Sequence, residues 1–156
     1  PLAGIILIFV LMFAGASTGS TTGSIKMARH LLVIKNIRLV FVKLIHPSAI
    51  TQLKMNGKPV SDKTNISILS FVVLYIFIFI TGTIIVVITG VDPVTSASAV
   101  ASTLGNVGPG LGTIGPMFNY AHLPEIDKAI FSLLMIIGRL EINTLFIILS
   151  KSFWKI

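Results

Sequence analysis

The sequence predicts an all-α integral membrane protein built from M1–pore-loop–M2 repeats, about one and a half of them. Three observations carry that expectation. The first is composition. Of 156 residues, 54% are hydrophobic and only 11% are charged, and the mean hydropathy is +0.97. A water-soluble domain keeps roughly a quarter of its residues charged, so this chain cannot cover a solvent-facing surface. The second is a pair of Gly-rich, nearly charge-free segments, Gly15-Ala16-Ser17-Thr18-Gly19-Ser20-Thr21-Thr22-Gly23 and Gly105-Asn106-Val107-Gly108-Pro109-Gly110-Leu111-Gly112. The third is their setting: each follows a segment too short to cross a bilayer and precedes one that could. Irregular backbone at membrane depth survives only where protein buries it or where it lines a water-filled path.

The elements follow in order. Leu2–Ala14 is about 13 residues, short of the roughly 20 that span a bilayer, and reads as the end of a pore helix. Ile25 to Ile45 is apolar in blocks but carries Lys26, Arg29, Lys35, Arg38 and Lys43. That is too much charge for a lipid-facing span, so this helix is expected to break near its Gly/Ser/Thr-rich start. His46-Pro47 stops it, because proline cannot continue a helix. Asn56-Gly57, between Leu53/Met55 and Pro59/Val60, is a two-residue hairpin signal.

Thr64 to Val91 is free of charge for about 28 residues, roughly 42 Å as a helix, and is long enough to span. Asp92 is placed to cap the next helix, with Pro93 in its first turn. Pro93–Leu104 then reads as a second short helix rich in small residues. Its carbonyl end, the negative end of the helix dipole, would aim at the second Gly-rich loop. Gly115–Asp127 is expected to be irregular, and Ala129–Ser150 to form the last span, interrupted by Arg139 and Glu141. Phe153, Trp154, Lys151 and Lys155 mark its interfacial end.

Residues 1–45 are therefore the end of one repeat, 46–63 a cytoplasmic loop with a hairpin, and 64–156 one complete repeat. Internal repeats of this kind are expected in membrane transport proteins. The chain does not begin with Met and shows no secretory leader, and is expected to be a C-terminal piece of a longer protein. Without cysteine it has neither disulfide nor thiolate metal site. The net charge is +7, and eight of the twelve Lys and Arg residues lie between Lys26 and Lys63. Beside membrane segments this basic run reads as positive-inside topology rather than nucleic-acid binding.

A dehydrated potassium ion needs a ring of carbonyl oxygens in place of its water shell. Aiming successive carbonyls at one axis demands backbone angles that glycine adopts without steric cost. Gly19 and Gly108, central in their loops, are the candidate filter glycines and potassium contacts, flanked by Thr18, Ser20, Val107 and Pro109. The plainer reading is that the loop glycines serve helix packing or ordinary turns. Arg139 would cost about 2.5–3.5 kcal/mol at the centre of a membrane helix, so it is expected to face protein or water. It is either an electrostatic gate or half of a structural ion pair; Glu141, about 200° round the helix, is not its partner. Lys26 and Arg29 are gating elements or snorkelling cations.

Other chemistries find little support. Gly19-Ser20-Thr21-Thr22-Gly23-Ser24-Ile25-Lys26 lacks the Lys-Ser/Thr of a nucleotide-binding loop and follows no strand. His30, His46 and His122 have no paired metal-ligand spacing, and nothing places them as a dyad with Ser17 or Ser20.

Met12 to Lys26 resembles the third pore loop of the Trk/Ktr/HKT potassium transporters, closest to their TrkH-type membrane subunits. Leu44-Ile45-His46-Pro47, Asn56-Gly57-Lys58-Pro59-Val60-Ser61, Gly105 to Gly112 and Gly138-Arg139-Leu140-Glu141 resemble signatures of that family in the same order, covering essentially the whole chain. The resemblance implies four repeats around one pore, with this chain as the end of the third and all of the fourth. It implies potassium uptake across the cell inner (plasma) membrane, no enzymatic activity and no cofactor, with residues 46–63 and the C-terminus cytoplasmic. Implied partners are the remaining repeats, a second copy in a homodimer, the lipid bilayer and a cytoplasmic nucleotide-binding subunit of the TrkA/KtrA type, with no nucleic acid. The family's intramembrane gating loop falls on Thr22–Arg29, including Gly23, Ser24 and Lys26, and its pore arginine on Arg139. Ser24 departs from the pattern, since relatives often have glycine there, and implies a slightly stiffer loop. A secondary cation transporter, coupled to sodium or protons through a broken-helix site, is the alternative.

Overall fold

The structure, a computed structural model, describes residues 2–17, 20, 23–48 and 52–140. Among the described residues five α-helices run in the order α1 (Leu2–Phe13), α2 (Met27–Ile45), α3 (Asp62–Ile88), α4 (Pro93–Gly105) and α5 (Glu125–Arg139). Between α2 and α3 lies a small antiparallel hairpin, β1 (Lys54–Met55) with β2 (Lys58–Pro59). Its turn has Asn56 at φ 49° and Gly57 at φ 79°, the two positive angles that the Asn-Gly pair predicts.

The long helix α3 is the one described helix long and apolar enough to cross a membrane. It starts two residues before the expected Thr64, because the Ser61 Oγ accepts from the Thr64 N–H at 3.2 Å and so caps the first turn. It ends at Ile88 rather than Val91, where Gly90 takes φ 97°. Phe71, Tyr75, Gly82 and Val86 are buried along one face. Ile66, Val73, Phe77, Ile80, Ile84 and Ile88 are exposed, as hydrocarbon-facing side chains are free to be.

The short helix α4 is the centre of the molecule. Every residue from Thr95 to Gly105 except Ala97 is buried, because α5, α3 and α1 all pack against it. Small side chains make that possible: Gly82 of α3 meets Val100, and a Cβ there would lie 3.2 Å from Val100 Cγ1 and 3.6 Å from Leu134 Cδ1. Asp92 caps the helix as its sequence foretells, its Oδ2 accepting from the N–H groups of Val94 and Thr95 at 3.1 Å each. The helix α1 reaches α3 through aromatic rings, with Phe13 edge-on to Phe79 at 5.0 Å and to Tyr75 at 6.3 Å. Asn36 of α2 and Asn65 of α3 exchange amide hydrogen bonds at 2.6 and 3.0 Å, fixing the register of those two helices.

The helix α5 begins at Glu125, four residues before the expected Ala129. Glu125 and Asp127, which suggest a loop in sequence, sit in its first turn, where the helix dipole favours acids. The helix ends at Arg139 with Leu140 as its C-cap, at the first of the two charges expected to interrupt the span. Glu141 and residues 142–156 lie outside the described residues.

Replacing Asp92 with Ala leaves two N–H groups at the start of α4 without an acceptor. We expect a loss of about 1 kcal/mol, read as a lower apparent melting temperature of the detergent-solubilised protein. Asp92→Asn, which keeps an acceptor, should recover most of it.

Candidate functional site

The carbonyl ends of α1 and α4 converge. A Cβ on Gly105, the last residue of α4, would lie 3.1 Å from the Met12 carbonyl oxygen near the end of α1. One on Gly23 would lie 2.8 Å from the Asn106 Nδ2 and 2.9 Å from the Gly105 carbonyl. One on Gly138 of α5 would collide with the Leu104 carbonyl and lie 2.9 Å from the Asn106 Nδ2. Three glycines from three segments thus bring backbone against backbone at one point, with the Asn106 amide between Gly23 and Gly138. Asn106 itself caps α4 in the left-handed region at φ 54°, and its Nδ2 donates to the Met135 carbonyl at 3.2 Å.

The first loop leaves α1 and comes back alongside its own exit. Ala14 and Ile25 form a parallel bridge; the Gly15 N–H donates to the Ile25 carbonyl at 3.0 Å and the Met27 N–H to the Ala16 carbonyl at 3.2 Å. Ser24 is buried at φ 70°, a conformation costing a non-glycine residue about 1–2 kcal/mol. Its Oγ donates toward the Met12 and Phe13 carbonyls at 3.0 and 2.7 Å, capping the end of α1. The positive angle explains why glycine suits this position, and the two contacts explain how serine serves instead. The His30 Nε2 also meets the Phe13 carbonyl, at 3.2 Å. The candidate filter residues Thr18 and Gly19, and Thr22 of the gating loop, lie outside the described residues; Ser20 closes a turn, its N–H donating to the Ser17 carbonyl at 3.0 Å.

The second loop is described throughout. Val107, Gly108 and Pro109 are exposed, and a Cβ on Gly108, at φ 107°, would meet nothing within 4 Å. Its other glycines behave differently. A side chain on Gly110 would collide with Ile114, and one on Gly112, at φ 68°, would meet the Thr95 Oγ1 at 2.5 Å. The packing reading therefore describes Gly105, Gly110 and Gly112, while Gly108 stands in open space.

Hydroxyls of α4 hold the returning limb. The Leu111 N–H donates to the Ser98 Oγ at 2.9 Å, the Ser98 Oγ approaches the Leu111 carbonyl at 3.2 Å, and the Thr113 N–H reaches the Thr95 Oγ1 at 3.4 Å. The Tyr120 hydroxyl donates to the Gly108 carbonyl at 2.9 Å, and His122 bonds the Thr113 hydroxyl at 3.1 Å. Sequence reasoning treats Ser98 merely as a small residue and gives Thr95 and Tyr120 no role. The available signal is the hydroxyls three residues apart on a helix that precedes a glycine loop.

The candidate gate residues are distributed around this point. Arg29 lies with its guanidinium carbon 3.8 Å from the centre of the Phe71 ring, a cation–π contact between α2 and α3. Lys26 is half-buried immediately before α2. Arg139 is exposed in the last turn of α5, and its side chain makes no hydrogen bond or ion pair among the described residues. The residue before it, Gly138, touches the same Asn106 amide as Gly23.

Ser24→Ala keeps the strained backbone and removes both contacts to α1, whereas Ser24→Gly removes the contacts and the strain together. The alanine variant should lose about 1–2 kcal/mol of stability and the glycine variant less, as ranked by thermal unfolding in detergent. Equal melting temperatures for the two variants would mean that the angle at this position carries no strain.

The chain matches the family model of TrkH, a cation transport protein, over residues 1–156. It is 37% identical over 149 residues to the Trk system potassium uptake protein TrkH of Halomonas elongata, covering 96% of this chain and 30% of that one. With the protein of the same name from Escherichia coli K12 it shares 31% identity over 155 residues, 99% of this chain and 32% of the relative. Among solved structures it superposes on the potassium transporter TrkH from Vibrio parahaemolyticus with a TM-score of 0.88 at 31% identity, covering 99% of this chain and 33% of that one. The chain thus spans about a third of the length of the relatives it matches. Matched along its whole length, it belongs to the TrkH family, whose members are membrane transporters and not enzymes.

Proposed function

We propose that this chain supplies two of the loops that line a potassium-uptake pathway, as part of a larger pore of M1–pore-loop–M2 repeats. The observation that carries the reading is the paired geometry at the ends of α1 and α4. Two short helices bring their carbonyl ends together, and a glycine loop follows each. The second loop turns an unobstructed backbone outward at Val107–Pro109. The names of the relatives, potassium uptake proteins of the Trk system, supply the ion.

On this reading the carbonyls around Gly19 and Gly108 contact potassium, with Thr18, Ser20, Val107 and Pro109 beside them. Carbonyl dipoles already held by protein replace the hydration shell with little reorganisation. Thr22, Gly23, Ser24, Lys26 and Arg29 form a gating segment, and Arg139 adds a positive barrier to cation flow. The remaining repeats complete the ring, a second copy makes a homodimer, and a cytoplasmic nucleotide-binding subunit regulates passage. Residues 46–63 then face the cytoplasm, which agrees with the exposed Lys54, Lys58 and Lys63. A sodium- or proton-coupled transporter would call for a carboxylate poised beside the path. Among the described residues the one buried carboxylate is Asp127, and it accepts from Thr89 at the end of α3, at 2.9 Å.

The test is rubidium and sodium uptake into proteoliposomes holding the complete protein that carries this chain. Gly108→Asp puts a carboxylate in open space at a backbone angle of 107° that favours glycine, so it disturbs the loop itself more than the packing around it. It should lower rubidium uptake or the rubidium-to-sodium ratio about tenfold, equivalent to 1.4 kcal/mol. Removing the barrier with Arg139→Ala should raise uptake about fivefold, corresponding to roughly 1 kcal/mol. Unchanged selectivity in the Gly108 variant would refute the filter assignment.

A further inference from the structure

We infer that Tyr120 is a positioning residue for the second loop, holding the Gly108 peptide in the orientation from which it discriminates between cations. The inference rests on the filter reading of Gly108 and extends it to a residue from a different segment.

Gly108 needs such a restraint. With φ at 107° and nothing within 4 Å of a Cβ position, no neighbouring side chain packs against Gly108, and the Pro109 ring limits the angle before its carbonyl without fixing where that oxygen points. Among the described residues, the Tyr120 hydroxyl at 2.9 Å is the one hydrogen bond to Gly108. A carbonyl oxygen has two lone pairs, so one can accept from the tyrosine while the other remains for an ion. An accepted hydrogen bond also fixes the direction in which that second lone pair points.

Tyr120 is itself held. Its ring stands edge-on to Phe131 at 5.7 Å, and Phe131 belongs to the buried core face of α5. Its backbone carbonyl accepts from the Leu123 N–H at 3.2 Å, and Leu123 is buried. Burial raises the hydroxyl pKa above its usual value, partly offset by the neighbouring Ser102 hydroxyl, so the group stays a protonated donor at every physiological pH. The chain of contacts runs from the buried face of α5, through the ring, to one carbonyl of the loop.

Tyr120→Phe keeps the ring and its contact with Phe131 and removes only the donor. In the proteoliposomes described above, it should lower the rubidium-to-sodium uptake ratio about fivefold, as expected of one net hydrogen bond. A merely structural role would change how much protein is recovered, whereas the ratio does not depend on the amount. Replacing Tyr120 with 4-aminophenylalanine restores a donor at the same place and should restore the ratio. A wild-type ratio in Tyr120→Phe, with Gly108→Asp still defective, would overturn the inference and leave the filter reading standing. A wild-type ratio in Gly108→Asp would overturn the filter reading itself.

Discussion

The fold depends on one close approach: the carbonyl end of α4 lies against bare backbone of its neighbours. Gly138 brings α5 onto the Leu104 carbonyl, Gly105 lies against the Met12 carbonyl of α1, and Gly23 brings the first loop onto Gly105. In a membrane, lipid tails are as apolar as the side chains they would replace, so helix association draws on close van der Waals contact and polar bonds. Glycine is the residue that permits such contact. A methyl group at Gly138 or Gly23 would force a segment to shift, and one at Gly105 would need the Met12 carbonyl to give by a few tenths of an ångström. Displacing α5 would move Phe131, and displacing the first loop would uncover the end of α1.

Around that point the two loops are supported in different ways. The first is supported by its own backbone, through the Ala14–Ile25 bridge and the bonds at Gly15 and Met27. Ser24 and His30 occupy the last carbonyls of α1. The second has main-chain bonds of its own, from the Val107 N–H to the Ser102 carbonyl and from the Gly110 N–H to the Ile114 carbonyl, each at 2.9 Å. Its returning limb is held further by two hydroxyls of α4, at Thr95 and Ser98, and by Tyr120. Both loops thus depend on particular residues: the first on Gly15, where a Cβ would lie 2.9 Å from the Ile25 carbonyl oxygen, and on the Ser24 cap, the second on the hydroxyls of Thr95, Ser98 and Tyr120.

Local chemistry was legible in the sequence, and chemistry between distant segments was not. The Asp92-Pro93 start of α4 and the Asn56-Gly57 turn need only neighbouring residues, and both formed as read. The boundaries of α3 and α5 slipped because first-turn acids and a serine cap look like loop composition when hydropathy alone is followed. Arg139 attracts attention in sequence as a charge in an apolar stretch, yet the adjacent Gly138 makes the close contact. Nothing local distinguishes Gly138 from any other membrane-helix glycine; the Leu104 carbonyl 34 positions away does. Ser98 and Tyr120 were opaque for the same reason, since their partners lie 13 and 12 residues off in an irregular stretch.

Electrostatics then limits how much of a cation site the two helix ends can form by themselves. The C-terminal end of each α-helix carries about half a negative charge, concentrated on carbonyls that lack a partner. At α4 the Asn106 and Val107 N–H groups already take the Thr103 and Ser102 carbonyls, at 3.1 and 2.9 Å. At α1 the Ser24 hydroxyl takes those of Met12 and Phe13. Every partner weakens the field that the end projects. The helix ends therefore contribute a modest background attraction, and on the filter reading proposed above the specific contacts fall to loop carbonyls beyond them, with Gly108 held from one side by the Tyr120 hydroxyl. A site built this way is governed less by the charge of the pore helices than by the angle of a few peptide planes. Its selectivity should accordingly respond to neutral substitutions that let a peptide rotate, even where every charged residue is left in place.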